Sequence, residues 1–158
     1  MISVALICTA NRCRSIMAHA IMVDEARKRS LPIEIYSAGV IDFSDQPPLI
    51  ETSRTCDYYH TPSPKHTPTW AGDLPLASIN QFLVMEQSHA DALRDQFGIP
   101  ADRITLLGAF DPRQRGLDIA DPFFSYSEEV YQSSYRQIRD CIIGYLDSEN
   151  GQCQKPDR

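Results

Sequence analysis

Ile2-Ser3-Val4-Ala5-Leu6-Ile7-Cys8-Thr9-Ala10-Asn11-Arg12-Cys13-Arg14-Ser15 is the stretch on which the fold turns. The run from Ile2 to Ile7 is apolar but for Ser3, lacks a basic leader, and stops in a polar loop. A membrane-spanning helix needs about 20 apolar residues, so this run reads as a buried parallel strand. Cys8 and Arg14 bracket the loop between that strand and a helical stretch opened by Ser15. A tight strand-to-helix loop turns successive backbone N–H groups inward, so that a tetrahedral anion can sit over the Cys8 sulfur. Arg14 closes the ring as a forked donor to two phosphate-type oxygens. The same positive field favours a thiolate, the form that attacks phosphorus.

Outward from this loop the chain alternates helices and strands. Ser15 to Arg29 places Met17, Ala20, Ile21 and Val23 at helical spacing and ends in Arg27-Lys28-Arg29, cations suited to a helix C-terminus. Ile33 to Tyr36 alternates as a second strand, and a helix is expected after Pro47-Pro48, running to about Tyr59. A proline-rich loop from His60 to Pro75 leads to a third strand over Asn80 to Met85. Ser88 with Asp91 opens a helix that Gly98 closes. Arg103 to Leu107 is the fourth strand. Ser125 and Glu128 form a capping-box pattern before a last helix whose stripe carries Val130, Ser134, Ile138, Cys141, Ile142 and Tyr145. Strands separated by helices imply right-handed crossovers, a parallel sheet covered on both faces, and ligands at the carboxyl ends of the strands, where Cys8 falls.

At 158 residues the chain is about one domain long, expected over residues 1–147 with a polar tail from 148 to 158. Its five cysteines show no paired framework, which points to reduced thiols and a cytoplasmic location. A net charge of -6 argues against general affinity for nucleic acid or for an anionic membrane, so phosphate recognition must be local to one loop. His19, His60, His66 and His89 have no paired ligand spacing and read as surface or core residues, so neither a metal nor another cofactor is expected.

Cys8-Thr9-Ala10-Asn11-Arg12-Cys13-Arg14-Ser15 strongly resembles the signature loop of the low-molecular-weight protein tyrosine phosphatases. The likeness covers almost the whole chain. Ser37-Ala38-Gly39, Gln46-Pro47-Pro48, Phe82-Leu83-Val84-Met85-Glu86 and the stretch from Leu106 to Pro112 follow in the family's order. Most specific is Asp121-Pro122-Phe123-Phe124, which looks like the family's Asp-Pro loop with its paired aromatics.

The resemblance implies a three-layer α/β flavodoxin-like fold with a four-stranded parallel sheet. It also implies a monomeric phosphatase acting on phosphotyrosine in proteins and releasing inorganic phosphate. Carried over residue by residue, Cys8 is the nucleophile, Arg14 the phosphate clamp and Asp121 the general acid and base. The backbone of Thr9, Ala10, Asn11, Arg12 and Cys13 wraps the phosphate. Ser15 donates a hydrogen bond to the Cys8 sulfur, and Asn11 holds the loop in a left-handed turn, which Asn tolerates better than most residues. Phe43, Phe123 and Phe124 are expected to sandwich a phenyl ring. Of the two Asp-Pro pairs, Asp121 is the better acid because aromatics follow it and shield it from water. Asp111, followed by Pro112 and Arg113, reads as a solvated turn or a structural contact with the loop.

Three positions depart from the family's habit: Ala10 stands for a common Gly, Ile16 for a Pro and Val40 for a Thr. If the backbone at position 10 needed a positive φ, the Ala side chain would cost roughly 1 kcal/mol. Two rival readings stay open. Arsenate reductases share the loop and fold, but those of this type relay electrons through two further cysteines close together, and Cys56, Cys141 and Cys153 form no such pair. The other rival is a non-catalytic oxyanion-binding module, which would require neither Cys8 nor Asp121.

Overall fold

Four parallel strands, β1 (Ile2–Cys8), β2 (Ile33–Gly39), β3 (Gln81–Val84) and β4 (Ile104–Leu106), form one sheet in the order β2-β1-β3-β4. The computed structural model describes residues 1–63, 67–125 and 127–150, without the side chains of residues 124, 149 and 150. Helices α1 (Arg14–Lys28), α2 (Ile50–Tyr58), α3 (Gln87–Phe97) and α4 (Glu128–Tyr145) cover the sheet. This is the three-layer flavodoxin-like arrangement, with the reversal of strand order beside β1 opening a crevice at the strands' carboxyl ends. His66 and Cys153, named in the sequence reading, lie outside the described residues.

The period of two along β1 divides the core. Val4, Leu6 and Cys8 join one apolar cluster with Met17, Ile138 and Ile142 from α1 and α4. Ala5 and Ile7 point the other way, against Phe82, Val84, and Leu93 of α3. Register is set residue by residue: Cys8 pairs with Gly39 and Ile7 with Val84, so the loop after β1 leaves the sheet between two neighbours.

Several boundaries differ from expectation. β2 runs on to Gly39 because parallel pairing with β1 continues through Cys8. β3 and β4 are shorter than expected by residues at both ends. α3 is opened by Glu86, whose side chain accepts from the His89 backbone while the His89 ring accepts from the Glu86 backbone, so Ser88 and Asp91 are not its cap. α4 is preceded by Ser127, whose N–H donates to Ser125 Oγ at 3.1 Å, in place of a Ser125–Glu128 box. Val23 and Val130 face solvent, at 46% and 40% exposure. The buried stripe of α4 instead takes in Tyr131 and Tyr135. Among the described residues no helix is long and apolar enough to cross a membrane.

Candidate active site

The loop from Cys8 to Arg14 is folded by its own polar side chains. Asn11 has φ 55°, the left-handed turn expected of it, and is fully buried. Its Oδ1 accepts from the Thr69 backbone at 2.8 Å, which orients the amide so that Nδ2 donates to Ser15 Oγ at 2.7 Å. That leaves the Ser15 hydroxyl hydrogen for Cys8 Sγ, 2.9 Å away. Sγ also accepts from the Asn11 backbone N–H at 3.2 Å. The sulfur thus has two hydrogen-bond donors already directed at it.

Ala10 is absent from the residues with positive φ, so its Cβ costs nothing there. The close approach that demands glycine lies across the sheet, at Gly39. A Cβ on Gly39 would stand 2.6 Å from Thr9 O and 2.7 Å from the Ala10 carbonyl carbon. Around it, Val40 N donates to Cys8 O at 3.1 Å and Ile41 N to Thr9 O at 3.0 Å, so the end of β2 braces the loop from outside. Ile16, the residue in the place of the common Pro, is buried in the first helical turn, and Val40 packs against the Ala5–Ile7 face.

Cys13 precedes α1 and makes no side-chain cap, and its carbonyl accepts from Ile16 N at 3.1 Å and Met17 N at 2.9 Å, so the helix starts directly from the loop, where a helix N-terminus favours an anion. Burial pushes the Cys13 thiol well above its ordinary range, which keeps it in the neutral form. Thr52 of α2 donates to Arg12 O at 2.8 Å and fixes the loop's outer edge.

Arg14 is 1% exposed. Its Nη1 lies 2.6 Å from Glu86 Oε2 and donates to Ile119 O at 2.7 Å. Its Nη2 donates to Thr9 Oγ1 at 3.3 Å and stands 3.5 Å from Asp121 Oδ2. His89 completes this back wall. Its Nδ1 accepts from the Glu86 N–H at 3.1 Å, so Nε2 carries the hydrogen and donates to Thr9 Oγ1 at 2.9 Å. Burial, and then the nearby Arg14 charge, push the imidazole down to about 4, which makes it neutral at ordinary pH.

Above the sulfur lies a cavity of about 230 Å³. Asp121 reaches it from the segment before a short helical turn over Pro122–Phe124, and its Oδ1 accepts from Phe123 N at 3.0 Å. The aromatic shielding expected around Asp121 is only partial: its side chain is 29% exposed and Phe123 is 47% exposed. Phe43 and Phe123 line the cavity, and Ile41 and Leu49, which the sequence reading passed over, line it with them. The side chain of Phe124 lies outside the described residues. Asp111 is not a solvated turn. It is 5% exposed, accepts from Arg113 N at 2.9 Å and from Gln137 Nε2 of α4 at 3.3 Å, and does not line the cavity.

Besides Ile41 and Leu49, sequence reasoning missed Glu86, His89, Thr52 and the Ile119 carbonyl. The only local signal was Glu86 with His89 three residues on, a spacing that suits a helix cap and says nothing of partners as far upstream as Arg14 and Thr9. Among the described residues no three of His, Cys, Asp and Glu converge to hold a metal ion.

Known proteins resemble this chain along most of its length. The family model described as low molecular weight phosphotyrosine protein phosphatase matches residues 3–154. Low molecular weight protein-tyrosine phosphatase A of Mycobacterium tuberculosis is 31% identical over 135 residues, 81% of this chain and 82% of that one. A protein-arginine-phosphatase of Bacillus subtilis is 25% identical over 144 residues, 88% of this chain and 91% of that one. Among solved structures, a low molecular weight phosphotyrosine phosphatase of Vibrio cholerae superposes with a TM-score of 0.86 at 23% identity, covering 96% of this chain and 99% of the other.

Proposed function

The chain belongs to the low molecular weight phosphotyrosine protein phosphatase family, and from that premise we propose that it hydrolyses phosphotyrosine in proteins by two in-line transfers through a phosphocysteine. One observation carries the reading: Cys8, the loop around it, Arg14 and Asp121 share a single cavity.

In the first step the Cys8 thiolate attacks phosphorus and the bond from phosphorus to the aryl oxygen breaks. Asp121, as the acid, gives its proton to the departing phenolate. In the second step water attacks the phosphocysteine, Asp121 as the carboxylate takes the water's proton, and the phosphorus–sulfur bond breaks to release inorganic phosphate. The Ser15 hydroxyl supports the departing thiolate by hydrogen bonding. In both steps the loop N–H groups and Arg14 hold the equatorial oxygens as charge gathers there.

The wall chemistry favours a phenyl group. Phe43, Phe123, Ile41 and Leu49 enclose a flat apolar ring, whereas a phosphoserine presents no ring to fill that space. An arginine phosphate, to which the name of the Bacillus subtilis relative points, would bring a guanidinium group into a cavity that already holds Arg12 and Arg14. The reading places the enzyme in the cytoplasm, where its thiols stay reduced. Incubation with para-nitrophenyl phosphate, with no added metal and in EDTA, tests it. Release of nitrophenol undiminished by EDTA is expected, and no release would overturn the assignment in favour of an oxyanion-binding module.

A further inference from the structure

We propose that Arg12 selects the sequence around the scissile phosphotyrosine, favouring peptides with an acidic residue beside it; this rests on the phosphotyrosine reading above. Two cations line the cavity, and they are held differently. Arg14 is buried and offset by Glu86 and Asp121. Arg12 is partly exposed, and no carboxylate among the described residues lies within ion-pair distance of it.

The Arg12 guanidinium is nevertheless fixed in place. Its Nε donates to Pro47 O at 3.0 Å, and its Cζ stands 5.9 Å from the centroid of the Phe123 ring. The Arg12 carbonyl is held by Thr52 Oγ1. With Nε occupied and the group braced against an aromatic ring, the ends Nη1 and Nη2 remain as a fork at the mouth of the cavity, geometry that suits a carboxylate. Ile41, Phe43, Leu49 and Phe123 line the cavity with apolar surface, and the carboxylate that lines it, Asp121, stands 3.5 Å from Arg14 Nη2 and not within ion-pair distance of Arg12. In a chain of net charge -6, which repels acidic peptides at long range, a local unpaired cation beside the reacting centre is the feature that would draw one in.

The test compares three phosphotyrosine peptides that differ only in flanking residues: glutamate, alanine or lysine on either side. For the wild-type enzyme at low salt, kcat/KM for the glutamate peptide should exceed that for the alanine peptide by roughly three- to tenfold, the range for one partly exposed charge contact, with the change carried by KM. The advantage should shrink in 0.5 M salt, since the contact is open to screening. Arg12→Gln should bring the glutamate-to-lysine ratio close to one, and Arg12→Glu should invert it. Each ratio is taken on a single enzyme, so damage to the loop common to all peptides cancels. Arg12→Lys should retain a smaller preference of the same sign, because a lysine keeps the charge without the fork. Equal kcat/KM for all three peptides in the wild type, or a preference that survives Arg12→Gln, would overturn the inference and leave the phosphotyrosine reading standing. Failure of the wild type to hydrolyse any aryl phosphate would overturn that reading and the inference with it.

Discussion

Oε2 of Glu86 lies 2.6 Å from Nη1 of Arg14, joining the residue that caps α3 to the residue that begins α1. With Nη1 also donating to the Ile119 carbonyl, one edge of the guanidinium is committed to the protein. The other nitrogen, Nη2, faces Thr9 and Asp121 on the cavity side. The pair therefore does two things at once: it compensates a buried charge, and it sets which edge of Arg14 meets an incoming oxyanion.

Glu86→Gln removes the charge and keeps much of the shape. A buried guanidinium that loses its partner should cost roughly 1–3 kcal/mol of stability, read as a lower midpoint in urea unfolding with an unchanged slope. The inhibition constant for phosphate should rise as well, because the donor edge is no longer aimed. If both stay at wild-type values, Arg14 is oriented by something other than Glu86.

Cys8→Ser should abolish turnover while phosphate or vanadate still binds, since the loop N–H groups and Arg14 do not depend on the sulfur. Arg14→Ala should damage both binding and rate, because the same group meets the oxygens in the ground and transition states. Steady-state assays with para-nitrophenyl phosphate and phosphate inhibition measure the two effects separately. More than a small residual rate in Cys8→Ser would show that another group is the nucleophile.

Local pattern made the loop and the layers legible. An apolar run followed by Asn and Arg at a strand-to-helix turn is a short-range signal, and the hydrogen bonds from Asn11 to Ser15 and from Ser15 to Cys8 close within eight residues. Gly39, Glu86, His89 and Ile119 act on the same loop through contacts that only the folded sheet creates, from residues 30 to 110 positions away along the chain. The same limit misplaced Val23 and Val130 on the buried stripes. Each fits the helical period, but each falls at the edge of its stripe, where the neighbouring layer no longer covers it. Of the two readings of Asp111, the solvated turn fails for a related reason: its charged neighbours suggest solvent, whereas the side chain is buried and bonded to Arg113 N and to Gln137 from α4.

His89 gives the fold a defined response to acid. Its ordinary value of 6.5 falls to about 4 in the folded chain, so between these limits the unfolded chain binds the extra proton. Stability contributed by the neutral ring is complete above about pH 6.5 and declines as the pH drops toward 4. Protonation would also end the acceptance by Nδ1 of the Glu86 N–H. Thermal melts of wild type and His89→Gln from pH 4 to 7.5 should therefore converge at the acid end, the wild type losing more of its midpoint. Parallel curves would mean that the buried imidazole is not what titrates.

Gly39→Ala should slow turnover although residue 39 touches no substrate. The added Cβ would stand 2.6 Å from Thr9 O, a backbone atom with little freedom to retreat, so the loop must shift. A reduced kcat together with weaker phosphate binding is expected, accompanied by a lower melting midpoint. A variant with wild-type phosphate affinity would show that the loop can relax without losing its donors.

Asp121 and Asp111 each precede a proline, and the structure separates their surroundings in a way that kinetics can test. Asp121 lines the cavity beside Arg14, whereas Asp111 is tied to Arg113 N and Gln137 away from it. Phenyl phosphate has a poor leaving group that requires a proton, while the nitrophenolate of para-nitrophenyl phosphate departs unaided. Asp121→Asn should therefore reduce kcat far more for phenyl phosphate than for para-nitrophenyl phosphate, with the ratio of the two rates changing by at least tenfold, or about 1.4 kcal/mol of differential transition-state stabilisation. Asp111→Asn should lower stability by roughly 1–3 kcal/mol through its buried hydrogen bonds, and leave the ratio of the two rates where it is. If the sensitivity to the leaving group appears in the Asp111 variant instead, the proton comes from the α4 side of the molecule and Asp121 serves only to face Arg14.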